Sequence, residues 1–179
     1  MLKKLEKISS KVEFKNPYWK YSIDQYFQPD GKIGTYHYVD SFGSTMIIPE
    51  LKQNLYLLVR QYRYLNQKIS IEFPGGGLRE GLDFLQNAKN ELLEETGYEA
   101  KQIIEIAGFN PFNGVTNEIS KVFLMKELQF LGNSPDDSEE FELLQLSKTD
   151  IHSLIKKGEI WDGMTLAAWS LFTHSEFFS

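Results

Sequence analysis

A chain of 179 residues with 41% hydrophobic and 25% charged content sits in the size and composition range of one globular domain, which argues against fibrous, disordered and membrane-spanning classes. It has no cysteine, which excludes disulfides, thiolate nucleophiles and Cys-ligated metal centres. The formal charge of −6 argues against a nucleic-acid partner, because phosphate backbones are held by clustered Lys and Arg, and it means that a polyanionic small substrate needs local positive charge from a metal or a few arginines.

The start, Met1 to Lys7, lacks the continuous apolar region of a secretory signal. The longest apolar stretch near the end, around Leu166 to Phe172, is far shorter than the roughly 20 residues of a bilayer span. The expectation is a cytoplasmic protein with no membrane partner. Residues 1–48 read as an N-terminal arm packed on the same domain. Within it, Lys32 to Asp40 follows the turn signal Pro29-Asp30-Gly31 and suggests a hairpin. Residues 49–179 read as the main domain. Leu55 to Val59 is an apolar run of buried-strand length, and Ile69 to Phe73 alternates as a strand does. Pro74-Gly75-Gly76-Gly77 then halts regular structure. Asp83 is a plausible N-cap for a helix from Phe84 to about Thr96, closed by Gly97, with Leu85, Ala88 and Leu92 on one apolar stripe. Strands are expected at Ile103 to Phe109, Ile119 to Lys126 and Phe141 to Leu146, and helices at Thr149 to Lys157 and Gly163 to Phe172. Strands mixed with a few helices imply an α/β or α+β sandwich.

The most informative stretch is Asn90-Glu91-Leu92-Leu93-Glu94-Glu95-Thr96-Gly97. At about 100° per residue, Glu91, Glu94 and Glu95 fall in one sector, pointing away from the Leu85/Leu92 stripe. Like charges at i, i+4 cost a few tenths of a kcal/mol, so an uncompensated cluster is a small liability. Hard cations such as Mg²⁺ prefer carboxylate oxygens and turn that repulsion into attraction. A solvated acidic face is the ordinary alternative for a Glu-rich helix. Here a Gly-rich turn precedes the helix, and its open backbone can bring a carbonyl to the same ion or admit a phosphate.

This stretch resembles the box of the Nudix family: G, five residues, E, seven residues, then R-E-U-x-E-E-x-G-U with U apolar. Gly76 takes the first position, Glu91, Leu92, Glu94, Glu95 and Gly97 take theirs, and Tyr98 closes it. Two positions depart, Leu82 for the first glutamate and Asn90 for the arginine. In the family those two residues brace one another or the metal-binding glutamates, so their joint absence looks like loss of an interacting pair. The resemblance implies an α/β/α sandwich with a mixed sheet and an N-terminal antiparallel β arm. It also implies Mg²⁺, or Mn²⁺ in its place, held by Glu91, Glu95 and the Gly75 carbonyl, with Glu94 assisting catalysis.

The segment Arg60-Gln61-Tyr62-Arg63, followed by Glu72-Phe73-Pro74-Gly75-Gly76, is similar to the ADP-ribose and nucleotide-sugar pyrophosphatase branch of that family. An arginine just past a strand offers a planar fork to a diphosphate. The branch resemblance implies substrate binding by Arg63, Arg60 and Glu72, with Glu118 as a supporting polar residue in the run Gly108 to Glu118. It places the general base in an acidic loop at 134–142, with Glu139 first among its residues. It implies hydrolysis of a small-molecule nucleoside diphosphate derivative to a nucleoside monophosphate and a sugar phosphate, by a homodimer. Tyr18, Trp19 and Tyr36 of the arm are aromatic enough to stack on a base, though such residues more often pack a core or a dimer. The alternative is a nucleotide-sugar binder on the same scaffold that no longer turns over. A triphosphate-cleaning Nudix enzyme ranks below both, since it has no use for the Arg60 to Arg63 motif. His37, His152 and His174 are far apart in sequence, and no zinc site follows from them.

Overall fold

A computed structural model describes residues 3–132 and 141–178. The chain forms two compact units, Met1–Gly43 with Asn110–Ile119, and Ser44–Phe109 with Ser120–Ser179.

The first unit is a three-stranded antiparallel sheet in the order β1 (Lys7–Lys15), β2 (Trp19–Phe27), β3 (Ile33–Ser41). The expected hairpin is the β2–β3 connection, closed by hydrogen bonds from Gln28 N–H to the Lys32 carbonyl and from Gly31 N–H to the Gln28 carbonyl. Gly31 adopts φ +87°, a conformation that favours glycine. The segment 110–119 joins this sheet through Val39 N–H on the Val115 carbonyl at 2.8 Å and through Asn117, whose Nδ2 donates to Asp40 Oδ1 at 2.6 Å.

The second unit is built on a seven-stranded mixed sheet. Its path runs β10 (Glu142–Ser147), β5 (Leu55–Arg63), β4 (Ser44–Lys52), β9 (Ser120–Phe130), β8 (Tyr98–Phe109). Strand β6 (Lys68–Glu72) adds to β5, and β7 (Gly75–Gly77) adds to β4. The β4–β9 pair is parallel and the other pairs of this sheet are antiparallel. Among the described residues three helices, α1 (Phe84–Thr96), α2 (Lys148–Lys157) and α3 (Gly163–Thr173), belong to the unit.

The two-residue period of the central strands sorts their side chains between two cores. From β4, Met46 and Ile48 enter one core while Ile47 enters the other; from β9, Val122 and Leu124 enter the first, Phe123 and Met125 the second. The first core is closed by Ile151 of α2 and by Ala168, Trp169 and Phe172 of α3. The second is closed by Ala88 and Leu92 of α1. Strands covered on both faces by helices make an α/β/α sandwich, as expected. Among the described residues no helix is long and apolar enough to cross a membrane.

Two local expectations need correction, and one strand was not expected at all. The glycine run does not simply interrupt structure: Gly75, Gly76 and Gly77 pair with Met46, Thr45 and Ser44 as a short strand, because ladder bonds need no side chain. Strand β4 is the unexpected one: it carries no alternation in the sequence, since Ser44 to Pro49 are buried on both faces. The stripe on α1 is also displaced. Ala88 and Leu92 are buried, but Leu85 is 42% exposed, and the buried side of the helix instead includes Asn87, Glu91 and Glu95.

Both caps of α1 form as the sequence suggests. Asp83 Oδ1 accepts from Gln86 N–H at 2.7 Å, and Gly97 turns the chain out at φ 74°. At α3, Asp162 Oδ2 accepts from Thr165 N–H at 2.7 Å, and Thr165 Oγ1 in turn accepts from Phe73 N–H at 3.1 Å in a fully buried position. That bond anchors the entry to β7 against α3. Accordingly, Leu92→Ala should cost about 2–5 kcal/mol by lost burial and the cavity left behind, and Thr165→Val about 1–3 kcal/mol by orphaning the Phe73 N–H. Leu85→Ala should stay within about 0.5 kcal/mol. Denaturant unfolding of the three variants checks the ranking, and an equal cost at Leu85 and Leu92 would contradict the burial described here.

Candidate active site

The second unit brings α1, β7 and the end of β6 together. Glu91 and Glu95 sit one helical turn apart on the buried side of α1, each 8% exposed. Taking an ion out of water costs several kcal/mol unless it is compensated, so their surroundings are decisive. Glu95 Oε2 lies 3.3 Å from Gly75 N and accepts its N–H. Glu91 lies against Gly76 so closely that a methyl group there would meet its carboxyl carbon at 2.6 Å. At Gly75 the same methyl would meet the Thr45 carbonyl oxygen at 2.3 Å. Gly75 is therefore required by its close approach to the β4 backbone, while Gly76 leaves room for a carboxylate to approach. Because the two carboxylates touch consecutive residues of one short strand, they occupy the same small volume.

Positive charge enters from two sides. Arg79, in the turn after β7, donates through Nη2 to Glu94 Oε2 and stands 3.8 Å from Glu91 Oε1. Arg63, at the end of β5, forms a two-pronged contact with the buried Glu72: Nε donates to Oε1 at 2.8 Å and Nη2 to Oε2. The Glu72 carboxylate holds the Arg63 guanidinium above its ordinary pKa, with Asp162 and Glu95 adding to the effect and burial opposing it. Arg63 is thus within electrostatic reach of Glu95, and Asp162, the cap of α3, belongs to the same neighbourhood.

The other residues expected at the site divide as follows. Arg60 pairs with Glu142 across the β5–β10 ladder. It is three residues from Arg63, so the strand period sends the two arginines to opposite faces of β5. Glu94 is on the helix beside Glu91 and is a third exposed. Glu118 belongs to the first unit, where its N–H donates to Thr116 Oγ1 and its carbonyl accepts from Asn110 Nδ2. Glu139 lies outside the described residues.

Sequence reading missed Arg79, Asn87 and Asp162. Arg79 falls in the five-residue spacer of the box, whose composition the motif leaves open. Asp162 did carry a signal, because an Asp three residues before Thr165 at the start of a helix is an N-cap pattern. Asn87 carried none: a buried polar residue looks like any helical Asn until the fold is known.

The NUDIX domain model matches residues 37–167. The chain belongs to the Nudix family. It is 31% identical over 152 residues to the ADP-ribose pyrophosphatase of Bacillus subtilis (strain 168), covering 82% of each chain. It is 30% identical over 151 residues to the methanol dehydrogenase activator of Bacillus methanolicus, covering 83% of this chain and 82% of that one. Among solved structures it matches an ADP compounds hydrolase with a TM-score of 0.82 at 15% identity, over 96% of this chain and 93% of that one, a likeness of fold.

Nudix hydrolases generally use divalent metals. Among the described residues no three His, Cys, Asp or Glu side chains converge into a metal cage. Mg²⁺ does not require one, since it usually keeps several waters and takes one or two carboxylates together with substrate phosphates. Glu91 and Glu95, both hard oxygen donors packed on an open glycine backbone, fit that habit. Gly76→Ala should therefore leave the fold standing, because the obstacle is a side-chain end, yet displace Glu91 and lower turnover by at least about tenfold. Gly75→Ala meets backbone and should lower stability instead. Unfolding midpoints and initial rates on the two variants test this split, which fails if Gly76→Ala retains full activity.

Proposed function

We propose that the protein hydrolyses the diphosphate bond of ADP-ribose or a related nucleotide sugar, releasing a nucleoside monophosphate and a sugar phosphate. The observation that carries this reading is the pair of buried carboxylates, Glu91 and Glu95, held on a glycine strand with Arg63 and Arg79 beside them. The similarity to ADP-ribose pyrophosphatase and the Arg60 to Glu72 spacing support the substrate class.

A bound Mg²⁺ supplies Lewis-acid stabilisation of the charge that develops on the phosphoryl oxygens. Glu91 and Glu95, with the Gly75 carbonyl, hold that ion in this reading. Arg63 orients the diphosphate, and Glu72, by gripping the guanidinium in two places, fixes the plane in which it is offered. The branch resemblance also names Arg60 and Glu118 for substrate binding, and Glu94 assists at the helix. Glu139, in the acidic segment before β10, takes the proton of the attacking water.

Turnover of ADP-ribose should require a divalent cation and should fall on the order of 100-fold in Glu95→Gln, which keeps the shape and removes the charge. The check is release of AMP across a panel of nucleotide sugars with Mg²⁺, Mn²⁺ and chelator. Undiminished turnover in Glu95→Gln would remove the metal assignment. Leu82 and Asn90 motivate a second reading, a nucleotide-sugar binder without turnover. Wild-type protein that binds ADP-ribose in calorimetry but releases no AMP would establish that reading instead.

We also infer a homodimer. The branch resemblance supports this, and the three-stranded sheet of the first unit exposes Val12 at 50%, Phe14 at 54% and Ile33 at 61%, apolar side chains that a partner copy could cover. Sedimentation at micromolar concentration should give twice the chain mass, and Val12→Glu with Phe14→Glu should give the chain mass. A wild-type monomer would count against the assembly.

A further inference from the structure

The Nudix box asks for an arginine immediately before Glu91, and this chain has Asn90 there. Asn90 faces along its own helix, where its Oδ1 accepts from Gln86 Nε2 at 3.0 Å. A guanidinium nevertheless reaches the neighbouring carboxylates. Arg79 Nη2 donates to Glu94 Oε2 and stands 3.8 Å from Glu91 Oε1. Residues 90 and 94 are i, i+4 neighbours, so a side chain at position 90 would meet Glu94 from the helix just as Arg79 meets it from the turn. We propose that Arg79 is the positioning arginine of this site, supplied by the turn between β7 and α1 in place of the helix, and that it fixes Glu94 and Glu91 in their working orientations. The inference rests on the functional reading above only for what those glutamates do.

The turn is constructed to aim this side chain. Leu82 N–H donates to the Arg79 carbonyl at 3.1 Å, and Gly81, the third residue of that four-residue turn, takes φ +86°, as a type II turn demands. Arg79 N–H donates to Asn87 Oδ1 at 3.1 Å, and Asn87, fully buried, passes the connection on through Nδ2 to Thr45 Oγ1 at 3.0 Å. Thr45 is also the residue whose carbonyl abuts Gly75. The backbone of Arg79 is therefore tied to the same point of β4 that seats the glycine strand. Leu82, standing where the box has glutamate, closes that turn through its backbone, while the guanidinium goes to Glu94 and Glu91. The guanidinium is half exposed, so the ion pair contributes little to folding stability. A role in orientation and a role in stability therefore separate by experiment.

The test uses the full chain and three variants, Arg79→Gln, Asn90→Arg and the double variant. Mn²⁺ affinity is read by electron paramagnetic resonance without substrate, kcat and KM on ADP-ribose, and the unfolding midpoint. Arg79→Gln should leave the midpoint unchanged while weakening Mn²⁺ binding or lowering kcat about 10- to 100-fold, the usual cost of losing a residue that orients ligands. Asn90→Arg should change little alone and restore most of the loss in the Arg79→Gln background. The proposal is overturned if Arg79→Gln changes neither quantity, if it tightens Mn²⁺ binding, which would make the guanidinium a competitor of the ion, or if Asn90→Arg restores nothing. A wild type without turnover removes the enzymatic reading alone, because the Mn²⁺ measurements still decide the role of Arg79.

Discussion

Helix α1 presses two carboxylates, Glu91 and Glu95, against the backbone of a strand made only of glycine, and most of the second unit is arranged so that this contact can exist. A side chain at either of the first two glycines would collide with the β4 backbone or with Glu91. Glycine has low strand propensity, so β7 needs outside support. It has the β4 ladder on one side and, through the Phe73 N–H on Thr165, a link to α3. The capping contact of Asp162 positions Thr165, so a residue at the start of the last helix helps seat the strand that receives the first.

The same contact explains the division of the core. Strand β4 sends Met46 and Ile48 to the face covered by α2 and α3 and Ile47 to the face covered by α1. The second cluster holds fewer buried residues, and two of the inward positions of α1 are carboxylates where a plain packing helix would carry apolar groups. Helix α1 thus docks through Ala88 and Leu92 with less apolar area than its length allows. Its caps at Asp83 and Gly97 matter correspondingly more, each being worth roughly 1 kcal/mol in such helices.

What the sequence made legible follows from what is local. The caps of α1, the β2–β3 turn at Gly31 and the run of buried strand at Leu55 to Val59 are set by neighbours in the chain, and they form as read. The box glutamates were legible as a cluster because their spacing is helical. Their burial was not. Three acidic residues on a helix look like a solvated face, and Leu85, Ala88 and Leu92 look like the apolar stripe opposite. Only the shape of β7 decides that Glu91 and Glu95 turn inward and Leu85 outward. Strand β4 was illegible because burial on both faces erases the two-residue signal. Arg79 was illegible because its partner, Glu94, is fifteen residues away and is reached only when the turn at Gly81 folds back on the helix.

Charge at the site closes the argument begun by composition. The chain has three arginines, and each meets a carboxylate: Arg60 with Glu142, Arg63 with Glu72, Arg79 with Glu94. Lysine supplies the rest of the positive charge. At Arg63 the planar fork meets a carboxylate in two places, the geometry that also suits a diphosphate. Around these pairs stand Glu91, which Arg79 also approaches at 3.8 Å, and Glu95 and Asp162, both within electrostatic reach of Arg63. The formal charge of −6 had required local positive charge for any polyanionic substrate, and Arg63 and Arg79 bring it to this region. Glu91 and Glu95 are carboxylates that one helix holds against a glycine strand, with Arg79 beside the first and Arg63 within electrostatic reach of the second.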